Sequence, residues 1–366
     1  MFKNNNENHV VNERITYVDQ LRTLSIIWLI LINVAFTFRF QNSATLEEYV
    51  LFTSFAFGVP IFLMLLGLLM LERDYTDIKN FLKTDFIRIL IPFLIWNTLM
   101  AIIATINNNG FILTTATLYQ FYLNFMKQHW YAWMLLGIYL SLPILSEFIR
   151  SWKLKGAAYY LILGVIASII YQALAYYNTP SYFNLTFFIG PLIYVFAGYY
   201  FENKEIKLSH NKIVTIGFII FLLTSIIIIY NAVVINHYTF TILLHHYNFF
   251  THSYLDVSLI VVLQAIGLFL VFKYINMNVT GLLIPIKHVL ENRWIMKFTT
   301  SISRSCYGIY LTHQSLIIIL TTLLSPYSIN EAYGTIILTI IILLTSWFII
   351  LLLKKVGVPT KYIGYD

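Results

Sequence analysis

Charge is what this sequence lacks most. Among its 366 residues, 23 are Lys or Arg and 16 are Asp or Glu, so 11% are charged, against about 25% in a typical soluble domain. Hydrophobic residues make up 59%. A soluble chain of this length has no interior large enough for that much apolar surface, which excludes an ordinary cytosolic, disordered or collagen-like protein. Cysteine is nearly absent. The single Cys306 excludes an intrachain disulfide and a cysteine metal cluster. There is no phosphate loop of the G-x-x-x-x-G-K type. The basic residues are scattered through short connections, which argues against a nucleic-acid partner.

What is present is a series of long apolar runs. A membrane-crossing helix needs about 20 such residues. Ten runs qualify, at 19–38, 50–71, 86–107, 130–149, 157–176, 183–201, 213–235, 253–273, 301–324 and 332–353. The expected fold class is therefore an all-α integral membrane protein with about ten transmembrane helices. The first run begins after Asp19 and Arg22 and has no small-residue cleavage site, so it reads as a helix and not as a removable signal. Residues 1–18 form an N-terminal tail, 19–354 the membrane domain and 355–366 a C-terminal tail. Amphipathic stretches at 113–126 and 277–298 interrupt the pattern.

The few basic residues orient the chain. The second connection carries Arg73, Lys79, Lys83 and Arg88, and the fourth Arg150, Lys153 and Lys155. The sixth carries Lys204, Lys207 and Lys212, and the eighth Lys273, Lys287, Arg293, Lys297 and Arg304. Lys354, Lys355 and Lys361 follow the last run, while the odd connections offer only Arg39 and Lys127. Positive loops stay in the cytoplasm, so both termini are expected there. Losing one run would place a basic connection on the wrong side. Pro60, Pro92, Pro143 and Pro191 are read as kinks or helix ends, with neighbouring helices satisfying the freed backbone groups.

Polar groups inside apolar runs mark candidate chemistry. Arg22 lies at the cytoplasmic end of the first run. It is either an anchor paired with Asp19 or part of a functional stripe. Asn33 lies eleven residues later, which turns a helix by about 1100° and returns it to the same face about 16 Å away. That stripe could line a path from the cytoplasm toward mid-membrane. The alternative for Asn33 is a simple interhelical hydrogen bond, worth about 0.6 kcal/mol.

The segment YVDQLRTLSIIWLILINVAF, at 17–36, resembles the opening of the acyltransferase-3 family of integral membrane acyltransferases, which typically shows (D/L)-x-x-R-x10-H. GVPIFLMLLGLLML at 58–71 is similar to its second helix, and FLKTDFIRILIPFLIW at 81–96 to its basic connection and third helix. HWYAWMLLGIYLSLPIL at 129–145 and SRSCYGIYLTHQSLIII at 303–319 resemble its fourth helix and a late S-x-x-x-Y-x-I-Y-L-x-H helix. The resemblance implies a ten-helix domain that moves an acyl group, commonly acetyl from acetyl-CoA, to a cell-surface glycan. It further implies a motif histidine acting as base and arginines holding the donor.

Two positions depart from that pattern. Asn33 stands where the motif histidine is expected, and an amide cannot act as a general base. Asp85 stands where relatives carry the first arginine of an R-x-x-R pair, leaving Arg88. Either the site has been disabled at Asn33 or the chain works by another route.

The expected catalytic positions are Asn33 and Arg22. Arg88, Lys83 and Arg304 are expected to hold the donor phosphates, or else to serve only as cytoplasmic anchors. On the acceptor side stand His129, Trp130, Tyr131 and Trp133, as a sugar platform or an aromatic belt. Tyr310 and His313 join them on a late stripe that also contains Tyr307. His237, His245, His246 and His252 cluster outside, but at no metal-ligand spacing, so no metal is expected. The expected function is O-acyl transfer from acetyl-CoA or another acyl-CoA to a cell-surface polysaccharide or other glycan. The expected location is the cell (plasma) membrane, as a multi-pass protein in the bilayer. Asn-, Ile-, Lys- and Tyr-rich usage points to an AT-rich bacterial genome. The competing readings are a glycan or lipid-linked sugar exporter, and a non-catalytic partner of a polysaccharide synthase.

Overall fold

A computed structural model describes residues 15–40, 56–109, 114–128, 130–176, 190–234, 259–324 and 331–366. His129 and the outer histidine cluster lie outside these residues, as does the side chain of Trp130. Among the described residues every regular element is helical.

The helices, in order, are α1 (Thr16–Phe40), α2 (Gly58–Met70), α3 (Ile87–Asn109), α4 (Thr115–Gln128), α5 (Trp130–Tyr176), α6 (Leu192–Asn203), α7 (His210–Val234), α8 (Leu259–Ile275), α9 (Ile284–Leu290), α10 (Arg293–Leu324), α11 (Glu331–Lys355) and α12 (Thr360–Ile363). A helical turn at Ile78–Phe81 and a π-helical segment at Leu82–Phe86 lead into α3. Each of the ten apolar runs contains a helix. Five helical stretches are long and apolar enough to cross a membrane by length and composition: Thr16–Thr37, Ile78–Ile103, Tyr131–Ile170, His210–Tyr230 and Tyr333–Lys355.

α5 has 47 residues, about 70 Å of helix and more than twice a bilayer core. It breaks at Lys153, where φ is 49° and ψ −138°. A side chain at positive φ is strained, and the strain falls inside the expected fourth connection. Pro191 is the N-cap of α6 and Pro60 lies in the first turn of α2. Pro92 and Pro143 are inside α3 and α5. The amphipathic stretch at 113–126 becomes α4, and the one at 277–298 supplies α9 and the start of α10.

The packing is that of a bundle with a lipid-facing exterior. Ile216, Phe218, Leu223 and Ile227 of α7 are exposed, as are Ile336, Ile337 and Ile340 of α11. A soluble protein does not present stripes of that size to water. Inside, α2 crosses α6 at Gly67 and Gly198. A Cβ at Gly67 would overlap the Val195 carbonyl, and one at Gly198 the Met64 carbonyl. Small residues let membrane helices approach to backbone contact, where dispersion replaces the missing hydrophobic drive.

Lys273, which the sequence assigns to a basic connection, is 5% exposed. Its ammonium donates to the carbonyls of Phe201 (2.9 Å) and Glu202 (2.5 Å) and pairs with the Glu202 carboxylate at 3.1 Å. Tyr17 donates to the same carboxylate at 2.6 Å. One cation thus caps the carbonyl end of α6 and ties it to α8 and α1.

Candidate functional site

The first turns of α1 are stitched to α10. Asp19, 4% exposed, accepts hydrogen bonds from Ser303 (2.6 Å) and Thr300 (3.1 Å). Thr23, one turn on, donates to the Thr299 carbonyl at 2.9 Å. Gln20 donates to the Leu290 carbonyl and accepts from Asn276. Arg22 lies three residues after Asp19, on a neighbouring part of the same side of α1. There it pairs with Asp366 at 3.4 Å and not with Asp19, the partner suggested by sequence proximity.

Arg22 lines a cavity of about 430 Å³, within the range of small-molecule sites. Arg73, Arg88, Asp85 and Asp366 line the same cavity. Arg73 approaches Asp85 at 4.0 Å and donates through Nε to the Leu69 carbonyl at 3.0 Å. The π-helical segment just before Arg88 contains Asp85. Such a segment adds a residue to a turn and re-aims the side chains that follow, and it is frequent at functional sites.

The remaining walls are aromatic and aliphatic: Phe62, Leu65, Leu66, Leu69 and Leu135, with Tyr131, Tyr139, Tyr307 and Tyr310. Tyr310 meets Tyr131 edge-on at 5.1 Å and stacks over Tyr307 at 6.4 Å. Tyr307 donates to the Ile89 carbonyl at 2.8 Å, tying α10 to α3. The cavity therefore combines three guanidinium groups and two carboxylates with an apolar lining and five phenols, Tyr365 being the fifth.

Residues 364–366 complete the wall. Gly308 donates its amide to the Gly364 carbonyl at 2.9 Å, and Asp366 donates its amide to the Arg304 carbonyl at 2.8 Å. Gly364 has φ 73°, and a Cβ there would meet the Gly308 amide. Glycine is required on both counts. Burial raises the Tyr365 phenol, but hydrogen bonds from Lys354 and Arg304 and their charges outweigh it and hold the phenol below its ordinary value.

The expected site residues separate accordingly. Arg22, Arg88 and Tyr310 meet at the cavity. Arg304 serves Tyr365 and the backbone of Asp366, and Lys83 is an exposed residue of the π-helical segment. Asn33 turns back on its own helix and donates to the Leu29 carbonyl at 2.8 Å. Trp133 is half-exposed and packs edge-on against Phe93 at 5.1 Å. His313 is buried directly behind the cavity wall. Its Nδ1 lies 2.5 Å from the Tyr310 carbonyl. A carbonyl only accepts, so Nδ1 is the donor in this contact.

Arg73, Tyr139 and Asp366 join the site without having been singled out for it by sequence, and Tyr131 of the expected aromatic platform lines it too. Arg73 carried only the signal of a basic loop. Tyr139 lies eight residues after Tyr131, about 80° round the helix from it, so spacing alone did not mark it. Asp366 carried no local signal.

Among the described residues no group of three or more His, Cys, Asp or Glu is arranged to hold a metal. No curated protein and no solved structure matches the chain. The model of one protein family, described as an acyltransferase domain, matches residues 15–353. With that match over most of its length, and with its apolar helices, the chain belongs to the acyltransferase-3 family and is a multi-pass membrane protein.

Proposed function

We propose that the protein is an O-acyltransferase of the plasma membrane. It moves an acyl group, acetyl in the simplest case, from cytoplasmic acyl-CoA to a hydroxyl of an extracytoplasmic cell-surface glycan. The observation that carries this reading is the convergence of Arg22, Arg73 and Arg88, an excess of one positive charge over Asp85 and Asp366, on one cavity whose other walls are mostly aliphatic and aromatic. Coenzyme A has phosphates at one end and a thiol at the end of a long arm. Guanidinium groups suit the phosphates, and the apolar wall suits the arm. Ten crossings with both termini in the cytoplasm, as the basic connections imply, turn the arginine mouth toward the acyl-CoA pool.

In the transfer, the acceptor hydroxyl oxygen forms a bond to the thioester carbonyl carbon, and the carbon–sulfur bond breaks. The hydroxyl proton passes to a base, and coenzyme A leaves as the thiolate and is then protonated. Asn33 cannot take that proton. In this reading His313, whose ring centre lies 5.5 Å from that of the wall residue Tyr310, takes it from an acceptor hydroxyl that reaches past that wall. Arg22, Arg73 and Arg88 hold the donor.

The test uses the protein in liposomes with labelled acetyl-CoA inside and an acceptor oligosaccharide outside. Labelled ester should form with the wild type, since His313 supplies the base, and Asn33→His should form it as well. If neither wild type nor Asn33→His binds acetyl-CoA or forms ester, the proposal is wrong.

A further inference from the structure

The arginine mouth already holds an anion. The segment that supplies it is fixed through its backbone, by Gly308 to Gly364 and by Asp366 to Arg304. Tyr365 is buried at 7% exposure, with the Lys354 ammonium 4.0 Å from its ring centre. The Asp366 side chain is held differently. It is 55% exposed and meets Arg22 through a single 3.4 Å contact. A tight guanidinium–carboxylate bond lies at about 2.7–2.9 Å. The backbone is therefore docked while the carboxylate is loosely held, and both partners line the cavity.

We propose that Asp366 is a specificity residue of the donor site that acts by competition. A phosphate entering the cavity displaces the Asp366 carboxylate from Arg22, the side chain rotates toward solvent, and the segment stays docked. This rests on the reading of the cavity as a donor site. An empty site keeps Arg22 compensated, which spares the cost of an unpaired charge at the membrane. A neutral or weakly charged ligand gains little by displacing a carboxylate. A phosphate group brings more charge and more acceptor oxygens to the same guanidinium. The carboxylate thereby selects for donors that carry phosphate.

The test is calorimetric titration of the detergent-solubilised full chain with coenzyme A and, separately, with pyrophosphate. The proteins compared are wild type, Asp366→Asn and Asp366→Lys. Loss of a partly exposed ion pair should tighten coenzyme A binding about two- to fivefold in Asp366→Asn, and more in Asp366→Lys. If coenzyme A binds wild type but equally or less tightly to both variants, Asp366 is a support for Arg22 and the competition is overturned, while the donor reading stands. If coenzyme A fails to bind but pyrophosphate binds more tightly to the variants, the donor reading falls and the competition stands. If neither ligand binds any of the three proteins, both fall.

Discussion

Asp366 meets Arg22 across 344 residues of chain, at 3.4 Å. One is the last residue of the sequence and the other lies in the second turn of α1, yet together they occupy one wall of the cavity. The contact depends on Asp19 and Thr23 binding α10, and on Gly308 and Arg304 of α10 binding the C-terminal segment. α10 is thus the shared support of both partners, and changes there should reach the site.

His313→Gln keeps a hydrogen-bonding side chain and removes the proton acceptor. Ester formation should fall about 10²- to 10⁴-fold while coenzyme A affinity stays within a factor of two of wild type, since His313 does not line the cavity. Steady-state rates and calorimetric titration of the same preparation check both parts. A parallel loss of affinity would mean that His313 supports the cavity and does not take the proton.

Gly67→Ala places a methyl group against the Val195 carbonyl. The atom it meets is backbone, so α2 and α6 must separate. Overpacking of this kind costs about 1–3 kcal/mol. Thermal unfolding in detergent should show a lower midpoint, and an unchanged midpoint would show that the two helices separate without loss.

Lys273→Met leaves the Glu202 carboxylate and two carbonyls without their cation. Breaking a buried pair from one side costs about 3–5 kcal/mol, with the low end expected because Glu202 is 26% exposed. Lys273→Met with Glu202→Gln should regain part of that loss, because the uncompensated charge is gone. The stabilities of the two variants in one denaturant series decide it.

Tyr365 supplies a pH dependence. Its phenol is held below the ordinary value, so the docked segment binds the proton less tightly than the free one. The resulting stabilisation is absent at low pH, where both forms are protonated. It grows as pH rises through the docked value and is complete above the free value of about 10. Exchange of the Gly308 amide should slow, relative to intrinsic rates, as pH is raised toward 10, and Tyr365→Phe should remove that trend.

The sequence by itself determined the class of protein. Scarce charge and ten apolar runs leave a membrane bundle as the place where such a chain can hide its surface. The residue order around Arg22, Gly58 and Tyr310 carried the family resemblance. Arg22, Arg88 and Tyr310 were readable because an ionisable or phenolic group in an apolar run is conspicuous, and helical spacing says which ones share a face. Tertiary structure alone decided what those groups meet. Arg22 has Asp19 three residues away but pairs with Asp366, while Asp19 accepts from Ser303 and Thr300. Lys273 reads as a loop cation and is a buried helix cap. Arg73 reads as an anchor and lines the cavity. Periodicity reports one helix at a time. Which carboxylate reaches which guanidinium depends on how helices hundreds of residues apart pack, and no local pattern records that.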